Sequence, residues 1–250
     1  CMIRLNDIVV KFDNFTALHG INVHVKEGEF FTFLGPSGCG KTTTLRTITG
    51  FIEPAEGTVV VKEQDITHVP IEDRNIGIVF QNPATALNPR MVVREQLLDP
   101  MRVHNLGTEA EQEKRVKELL ELTGLPSSAA EVLPGQLSGG QRQRVAIARA
   151  LSLNPDAIIA DEPTSALDVS VRAQILNLLT DLKKELGLAM VFISHDIQTV
   201  RYISDDIIVM NGGKIVEQGE AKQVFQHPRD PYTKMLLGAA PSLLHPKLGE

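Results

Sequence analysis

The pattern of apolar and polar positions predicts strands in the first part of the chain. Residues 2–34 alternate or run apolar, as in IRLNDIVV and INVHVKEGEFFTFL, which is typical of strands separated by polar turns. The segment KTTTLRTITG then predicts a helix that ends at Gly50, because glycine commonly terminates helices. The segments GTVVVKEQDI and RNIGIVFQ indicate two further strands.

From about Asn82 to Ala150 the pattern is helical, and TEAEQEKRVKELLELTGL carries apolar residues on one face and charges on the other. After it, DAIIAD and AMVFISH are short apolar runs, typical of parallel strands covered on both faces. Between them, VRAQILNLLTDLKKELG predicts a crossover helix, and hence a right-handed strand–helix–strand unit. The last strands are predicted at DIIVMNGG and KIVEQG, followed by a proline-rich tail.

The composition of the chain says little about its fold, but it argues against some classes of binding partner. The chain has 250 residues, 42% apolar and 22% charged, which allows one large domain with a sizeable core. A net charge of −6, aromatics at 4% and no Trp argue against nucleic acid as a partner. Two cysteines far apart favour a reducing cytosol. No apolar run is long enough to span a membrane and the start lacks a signal-peptide core, so any membrane role is expected through partners.

The segment GPSGCGKTTT follows a predicted strand, opens a predicted helix and fits the P-loop pattern G-x-x-x-x-G-K-[ST]. Glycines let the backbone turn its N–H groups towards phosphate, and the helix N-terminus adds positive potential there. Lys41 is predicted to reach the β and γ phosphates of a nucleotide, Thr42 to join the Mg²⁺ shell, and Thr43 to donate to the α phosphate. The alternative is a glycine-rich turn that only ends a strand. The predicted binding residues of this loop are Gly35, Ser37, Gly38, Cys39, Gly40, Lys41, Thr42 and Thr43.

Cys39 occupies one of the unspecified positions of the P-loop pattern, where any small side chain fits. A second hypothesis is that the helix N-terminus lowers the pKa of the Cys39 thiol, so that alkylation of the thiol blocks nucleotide binding.

Two adjacent carboxylates end the apolar strand predicted at AIIADEP. Ligand sites gather at the carboxyl ends of parallel strands, so Asp161 is predicted to hold Mg²⁺, directly or through water. Glu162 is predicted to polarise the water that attacks the γ phosphate. An ordinary solvated pair of acids at a strand end is the alternative.

A second candidate anion site lies in LSGGQRQRVAIARAL, where Ser138, Gly139, Gly140 and Gln141 open a predicted helix. One nucleotide needs only one P-loop, so a second anion site predicts a head-to-tail dimer. In such a dimer, the P-loop of one subunit and the Ser-Gly-Gly segment of the other hold the same ATP. A closed two-fold pair then contains two equivalent sites.

The P-loop, LSGGQ, IIADEPT, SALD and ISHD occur in the order typical of the ATP-binding cassette family, and nearly the whole sequence resembles that family. The resemblance implies an α/β fold: a P-loop NTPase core with a mostly parallel sheet, an N-terminal antiparallel β subdomain and an inserted α-helical subdomain. It implies a single ATPase domain over residues 2–250, with the helical subdomain at about 82–150 and a C-terminal tail at about 225–250.

The same resemblance assigns roles to residues that match the family's motifs. Gln81 is expected to touch Mg²⁺ and to sense a membrane partner, and Asp168 to lie between the two ATP sites of a dimer. His195 is expected to contact the γ phosphate. Phe12 is expected to stack on adenine, with Phe15 near enough to compete for that role.

The implied function is that of the ATP-hydrolysing subunit of an importer, bound peripherally to the cytoplasmic face of the cell membrane. Its implied partners are transmembrane permease subunits, an extracytoplasmic solute-binding protein and a second ATPase subunit, identical or related. FQNPATALNP and HPRDPYT resemble the branch that imports peptides or nickel, whereas CGKTTTLRTITGFIEPAEGTV and RNIGIVFQN resemble polyamine or sugar importers. A non-transport relative, such as an ATPase of iron–sulfur cluster assembly, is the alternative.

Overall fold

Two sheets, one antiparallel and one mostly parallel, organise residues 2–239, the part of the chain that the computed structural model describes. The strands within these residues are β1 (Ile3–Phe12), β2 (Phe15–Val25), β3 (Phe30–Leu34), β4 (Glu56–Val61), β5 (Gln64–Asp65), β6 (Ile76–Val79), β7 (Ala157–Asp161), β8 (Ala189–Ile193), β9 (Asp206–Asn211) and β10 (Lys214–Glu220). The α-helices there are α1 (Lys41–Thr49), α2 (Pro83–Ala86), α3 (Val93–Val103), α4 (Glu109–Leu122), α5 (Gly139–Leu151), α6 (Val169–Leu186), α7 (Ile197–Ile203), α8 (Ala221–Gln226) and α9 (Pro231–Gly238). Short 3₁₀ turns occupy Ile71–Asp73, Ser127–Glu131 and Pro134–Gln136.

The antiparallel sheet has the strand order β2-β1-β4-β5 and uses the alternation expected of a sheet with one buried face. Ile3 of β1 lies opposite Val25 of β2 on one side and Val61 of β4 on the other. The prediction of a single strand over GTVVVKEQDI is wrong, because the chain reverses between β4 and β5. Lys62 and Glu63 form this turn with positive φ angles of 48° and 62°. Glycine or asparagine usually occupies such positions, so the sequence carried no turn signal.

The second sheet has the order β10-β9-β3-β8-β7-β6, and every pair in it is parallel except β9 with β10. All five residues of β3 are buried, as are the apolar residues of β7 and β8, because helices and the antiparallel sheet cover both faces. β7 and β8 are parallel neighbours joined by α6, as the sequence predicts. The carboxyl ends of β3, β6, β7 and β8 therefore meet at one edge of the sheet.

Helices α2 to α5 occupy the stretch between Asn82 and Ala150 and share their apolar core with the sheet. Leu97, Leu119 and Val145 belong to the same buried cluster as Val79 of β6 and Phe192 of β8. Helix α4 begins with a capping box. The Thr108 side chain accepts a hydrogen bond from the Glu111 N–H, and the Glu111 side chain accepts one from the Thr108 N–H. The proposed subdomain boundaries at about 82–150 remain a prediction.

The segment after β8 contains more helix than the pattern suggested. Helix α7 was not predicted, and the proline-rich tail holds α8 and α9, the latter with Asp230 as its N-cap and Pro231 at its first turn. Proline is compatible with the first helical turn, so its presence did not exclude a helix there. The predicted tail beyond residue 239 lies outside the described residues. The α/β class with a mostly parallel sheet and an N-terminal antiparallel sheet is confirmed.

Candidate nucleotide site

The loop between β3 and α1 requires glycine at three positions. Gly35, Gly38 and Gly40 have φ angles of 152°, 77° and 108°. A Cβ on Gly35 would lie 2.3 Å from the Met210 carbonyl oxygen, and one on Gly40 would lie 2.7 Å from the Leu18 side chain. A Cβ on Gly38 would meet nothing within 4 Å, so its backbone angle alone favours glycine there.

Helix α1 begins without a side-chain cap, since its N-cap is Gly40. Helices α4, α5, α6, α7 and α9 each have an N-cap side chain that accepts a backbone N–H of the first turn. The first N–H groups of an α-helix have no partner within the helix. The exposed Thr42 and half-buried Thr43 lie in this first turn. Helices α3 and α8 also lack a side-chain cap, but the start of α1 follows the glycine-rich turn directly, which makes it an open helix terminus that a phosphate group fits.

Lys41 is buried, at 5% exposure, and is held by the loop itself. Its Nζ donates to the carbonyl oxygens of Gly35, at 2.7 Å, and Pro36, at 2.8 Å. The ammonium is thus fixed beside the glycine-rich turn by carbonyl groups that carry no full charge. An anionic phosphate is a stronger acceptor for it than these carbonyls are.

Cys39 is buried, at 3% exposure, and its Sγ lies 3.5 Å from Lys41 Nζ. A Cβ on Gly35 would approach this sulfur to 2.7 Å, so the thiol fills space inside the turn. Reactive cysteines are partially exposed. This geometry favours the packing interpretation of Cys39 over the reactive-thiol hypothesis. Ser37, by contrast, is exposed on the loop.

Asp161 ends β7 beside the start of α1. Burial raises the pKa of its carboxyl above the ordinary value, and the neighbouring Glu162 adds to this, while Arg46, Lys41 and His195 act in the opposite direction. Asp161 lines a cavity of about 370 Å³ together with Thr42 and Arg46. A positive charge placed near Asp161 would therefore favour its ionised form.

The donor set suits Mg²⁺ when a nucleotide supplies phosphate oxygens. Thr42 and Asp161 share the cavity, and Gln81 offers an amide oxygen, so all candidate ligands are hard oxygen donors. Within residues 2–239 no group of three or more His, Cys, Asp or Glu side chains could form a metal cage. Mg²⁺ is commonly held by one or two carboxylates plus substrate phosphates and water, which fits this arrangement.

Three residues predicted to be catalytic converge at the ends of adjacent strands. His195 Nε2 lies 2.5 Å from one carboxylate oxygen of Glu162, and Gln81 Nε2 lies 3.5 Å from the other. Glu162 has a positive φ of 46°, and its N–H donates to the Ile193 carbonyl of β8 at 3.0 Å. Gln81 follows β6, Glu162 follows β7 and His195 follows β8, so the sheet brings these side chains together.

Ser165 also belongs to this cluster, although it was not among the predicted site residues. Its Oγ accepts from Gln81 Nε2 at 3.1 Å and donates to the main-chain carbonyl of Glu162 at 3.1 Å. Arg46 was missed as well; it lies on α1 and lines the cavity beside Asp161. The sequence signal for Ser165 was its position within DEPTSALD, and no pattern marked Arg46.

The second predicted anion site begins α5. The Ser138 side chain accepts from the Gln141 N–H at 3.2 Å, and the Gln141 side chain accepts from the Ser138 N–H at 3.0 Å. A Cβ on Gly140 would lie 2.5 Å from Val171 Cγ1 of α6, and one on Gly139 would lie 3.6 Å from the Leu167 side chain. These neighbours differ from those of the P-loop, which packs against β2 and β9.

Asp168 and Phe12 lie at exposed positions. Asp168 is the N-cap of α6: its Oδ1 accepts from Val171 N–H at 3.0 Å and from Ser170 Oγ at 2.9 Å. These hydrogen bonds hold the pKa of the Asp168 carboxyl below its usual range. Phe12 is 46% exposed and lies opposite Phe15, 64% exposed, at the tip of the β1–β2 hairpin. Both phenyl rings are therefore available to a planar ligand.

Comparison with protein-family models gives two matches. A model described as ABC transporter matches residues 18–165. A model described as the C-terminal region of oligopeptide/dipeptide transporters matches residues 216–249. The second match covers the segment from β10 onwards, which contains HPRDPYT.

Similar proteins and solved structures agree with these models. The chain is 44% identical over 237 residues to the oligopeptide transport ATP-binding protein AppF of Bacillus subtilis (strain 168), covering 92% of this chain and 72% of that protein. It is 44% identical to the dipeptide transport ATP-binding protein DppF of Haemophilus influenzae over 91% of this chain and 71% of that protein. The structure of cbiO1 from Clostridium perfringens, part of the ABC transporter complex cbiONQ, aligns with a TM-score of 0.83 and 33% identity, covering 90% of this chain and 91% of that chain. A dimeric post-hydrolysis structure of the ATP-binding cassette MJ0796, bound to ADP and Pi, aligns with a TM-score of 0.76 and 34% identity, covering 88% and 99%.

Proposed function

The chain belongs to the ABC transporter family, and from that premise we propose that it is the ATP-hydrolysing subunit of a peptide importer. The observation that carries the proposal is the uncapped start of α1, placed directly after a glycine-rich turn and beside the acidic end of β7. This terminus can bind phosphate, and the adjacent carboxylates, imidazole and amide can act on it.

Each side chain of the site has a distinct task in this proposal. Lys41 and the first N–H groups of α1 hold the β and γ phosphates, and Thr42, Gln81 and Asp161 would hold Mg²⁺. When bound, Mg²⁺ supplies positive charge that offsets the charge of the phosphates. Glu162 orients the attacking water and accepts its proton.

His195 donates to the γ phosphate from its place beside Glu162. The reaction is a direct transfer of the phosphoryl group to water, so positioning and electrostatics carry the catalysis. The three side chains already lie together around Glu162, so a bound nucleotide replaces the contacts of Gln81 and His195 with the carboxylate and does not have to bring distant groups together. Phe12 stacks on the adenine ring, with Phe15 next to it on the hairpin.

The second ATPase subunit completes each site. Ser138, Gly139, Gly140 and Gln141 of one subunit face the P-loop nucleotide of the other, and Asp168 lies between the two sites. Support comes from the separate packing neighbours of α1 and α5 and from the similarity to the dimeric MJ0796 cassette. The proposal includes a pair of identical subunits or a pair of related ones.

The membrane subunits are proposed to bind between the sheet edge and the helical region. A groove of about 540 Å³ lies there, bounded by Ile78 and Phe80 next to Gln81, by Pro100 of α3 and by Arg149 of α5. None of the helices in residues 2–239 combines the length and apolar character needed to cross a bilayer. Because the relatives named above are transport ATP-binding proteins, we place the protein peripherally on the cytoplasmic face of the membrane, bound to permease subunits that receive solute from an extracytoplasmic binding protein.

Peptides are favoured as cargo over nickel, polyamines and sugars, and import is favoured over iron–sulfur cluster assembly. The relatives named above are called oligopeptide and dipeptide transport ATP-binding proteins. Residues 216–249 match the model of the C-terminal region of oligopeptide/dipeptide transporters. The contrary resemblance, of residues 39–59 and 74–82 to polyamine and sugar importers, covers α1, part of β4 and all of β6 and is not matched in the names of these relatives.

Reconstitution with copurified membrane subunits tests the function. The complex in vesicles is expected to hydrolyse ATP faster when a binding protein loaded with di- or oligopeptide is present, and to accumulate labelled peptide. The Lys41→Ala complex is the control for ATP dependence. Copurification with soluble assembly factors and no membrane subunit, or stimulation by sugar or polyamine alone, would contradict the assignment.

A further inference from the structure

Ser165 makes three hydrogen bonds that join Gln81 to the backbone of Glu162. Its N–H and its Oγ both donate to the Glu162 carbonyl oxygen, at 3.2 and 3.1 Å. The same Oγ lies 3.1 Å from Gln81 Nε2. The serine therefore bridges the strand ends that carry the proposed metal ligand and the proposed general base.

The direction of these bonds assigns the ends of the Gln81 carboxamide. A serine hydroxyl has one hydrogen, and a main-chain carbonyl can only accept, so the hydrogen of Ser165 points to the Glu162 carbonyl. The lone pairs of Oγ must then accept from Gln81, which requires the amide nitrogen on that side. The Glu162 carboxylate is also an acceptor and also faces this nitrogen. The amide oxygen of Gln81 is the end directed away from both.

We propose that Ser165 is a positioning residue that fixes the orientation of the Gln81 carboxamide, so that its oxygen and not its nitrogen is offered to Mg²⁺. The inference rests on the proposed ATPase function. A hard cation takes oxygen ligands, and the amide nitrogen cannot replace the oxygen. Of the two contacts to the nitrogen, the one from Ser165 is shorter, at 3.1 Å against 3.5 Å for the Glu162 carboxylate. Ser165 therefore supplies the shorter of the two contacts that favour this orientation.

Metal binding measured apart from turnover tests this role. The parent protein, Ser165→Ala and Ser165→Thr are titrated with Mn²⁺ in the presence of a non-hydrolysable ATP analogue, and free Mn²⁺ is followed by electron paramagnetic resonance. Losing one hydrogen bond predicts that half-saturating Mn²⁺ rises about three- to tenfold in Ser165→Ala. Threonine retains the hydroxyl, so Ser165→Thr is expected within about twofold of the parent. Ser128→Ala, at an exposed serine in the 3₁₀ turn Ser127–Glu131, is the matched control and is expected to match the parent.

A second measurement separates positioning from general structural damage. Nucleotide affinity in EDTA is expected to be equal in the parent and in Ser165→Ala, because the P-loop contacts are unchanged. In a Gln81→Ala background, adding Ser165→Ala is expected to cause no further change in Mn²⁺ binding, since the serine acts through the amide.

An unchanged Mn²⁺ titration in Ser165→Ala overturns the inference, and so does an equal loss in the Gln81→Ala background. A parent protein that binds no nucleotide overturns the proposed function itself. The two failures are therefore distinguishable by the behaviour of the parent.

Discussion

Replacing Glu162 with glutamine removes the proposed base while keeping the shape of the side chain. The glutamine oxygen can accept from Gln81, and its nitrogen can donate to His195 Nε2 when the imidazole proton lies on Nδ1. The backbone bond from residue 162 to Ile193 is unaffected. Because the amide can remake both contacts, the free energy of unfolding is expected to change by no more than about 1 kcal/mol.

The expected loss is therefore in catalysis and not in folding. A positioned general base contributes about 10²- to 10⁴-fold, so Glu162→Gln is expected to lower kcat by that factor, or roughly 3–5 kcal/mol of barrier. ATP affinity is expected to stay near the parent value because Lys41 and the start of α1 remain. A variant that binds ATP without hydrolysing it is expected to accumulate as the closed dimer.

Phosphate release, nucleotide titration and size-exclusion chromatography with ATP measure these three quantities. Glu53→Gln is a matched control, because Glu53 forms a carboxylate–imidazole contact of 2.6 Å with His68 at an exposed site. The control is expected to retain the parent kcat. If Glu162→Gln keeps kcat within about threefold of the parent at an equal melting temperature, Glu162 is not the base, since even a weak general base contributes more.

Three further predictions follow from buried charged groups. Lys41→Ala is expected to weaken nucleotide binding about 10- to 100-fold in a fluorescent-nucleotide titration, since a charge-assisted contact is lost. Unchanged affinity would contradict the assignment of the P-loop as the phosphate site. Arg74→Met is expected to lower the free energy of unfolding in urea by about 3–5 kcal/mol. The buried guanidinium donates to four main-chain carbonyls, two of them in the last turn of α1. A loss below about 1 kcal/mol would show that water takes over these hydrogen bonds in the variant. Burial, aided by a hydrogen bond that the protonated Glu29 donates to the Asp206 carboxylate, raises the pKa of Glu29 from 4.5 to about 7, so the folded state favours the protonated acid. That stabilisation is complete below about pH 4.5 and is lost as the pH rises through about 7. Relative to Glu29→Gln, the parent is thus expected to lose at most about 3 kcal/mol between about pH 4.5 and 8 in urea unfolding, and parallel profiles would refute this.

The regular elements could be predicted because their signals are local. The apolar runs that became β3, β7 and β8 and the amphipathic pattern of α6 specify their own secondary structure. The β4–β5 turn could not be predicted, because Lys62 and Glu63 adopt left-handed angles that the surrounding sheet imposes. Helix α7 has only seven residues, too few for a periodic pattern to stand out.

In the proposed site, too, some residues could be predicted from the sequence and others could not. The P-loop, Asp161 and His195 lie in short sequence motifs, so they could be predicted as site residues from the sequence alone. Ser165 was not, because its role depends on β6 and β7 being neighbours, which sets Gln81 beside it although 84 residues separate the two. Contacts of this kind are a property of strand order, which the sequence pattern does not contain.

The backbone at Glu162 has a left-handed φ angle, which breaks the alternation of side chains along β7 and places the carboxylate in the proposed site. In a continuing strand successive side chains alternate between faces, so Asp161 and Glu162 would point apart. A left-handed angle of 46° at Glu162 ends that alternation, and the carboxylate then lies between Gln81 and His195 from the flanking strands. Such an angle costs about 1–2 kcal/mol for a residue with a Cβ. Three hydrogen bonds offset the cost, one from the Glu162 N–H to Ile193 and two from Ser165 to the Glu162 carbonyl. In the proposed cycle, nucleotide must displace the contacts of Gln81 and His195 with the carboxylate, while these backbone bonds keep the proposed base in place.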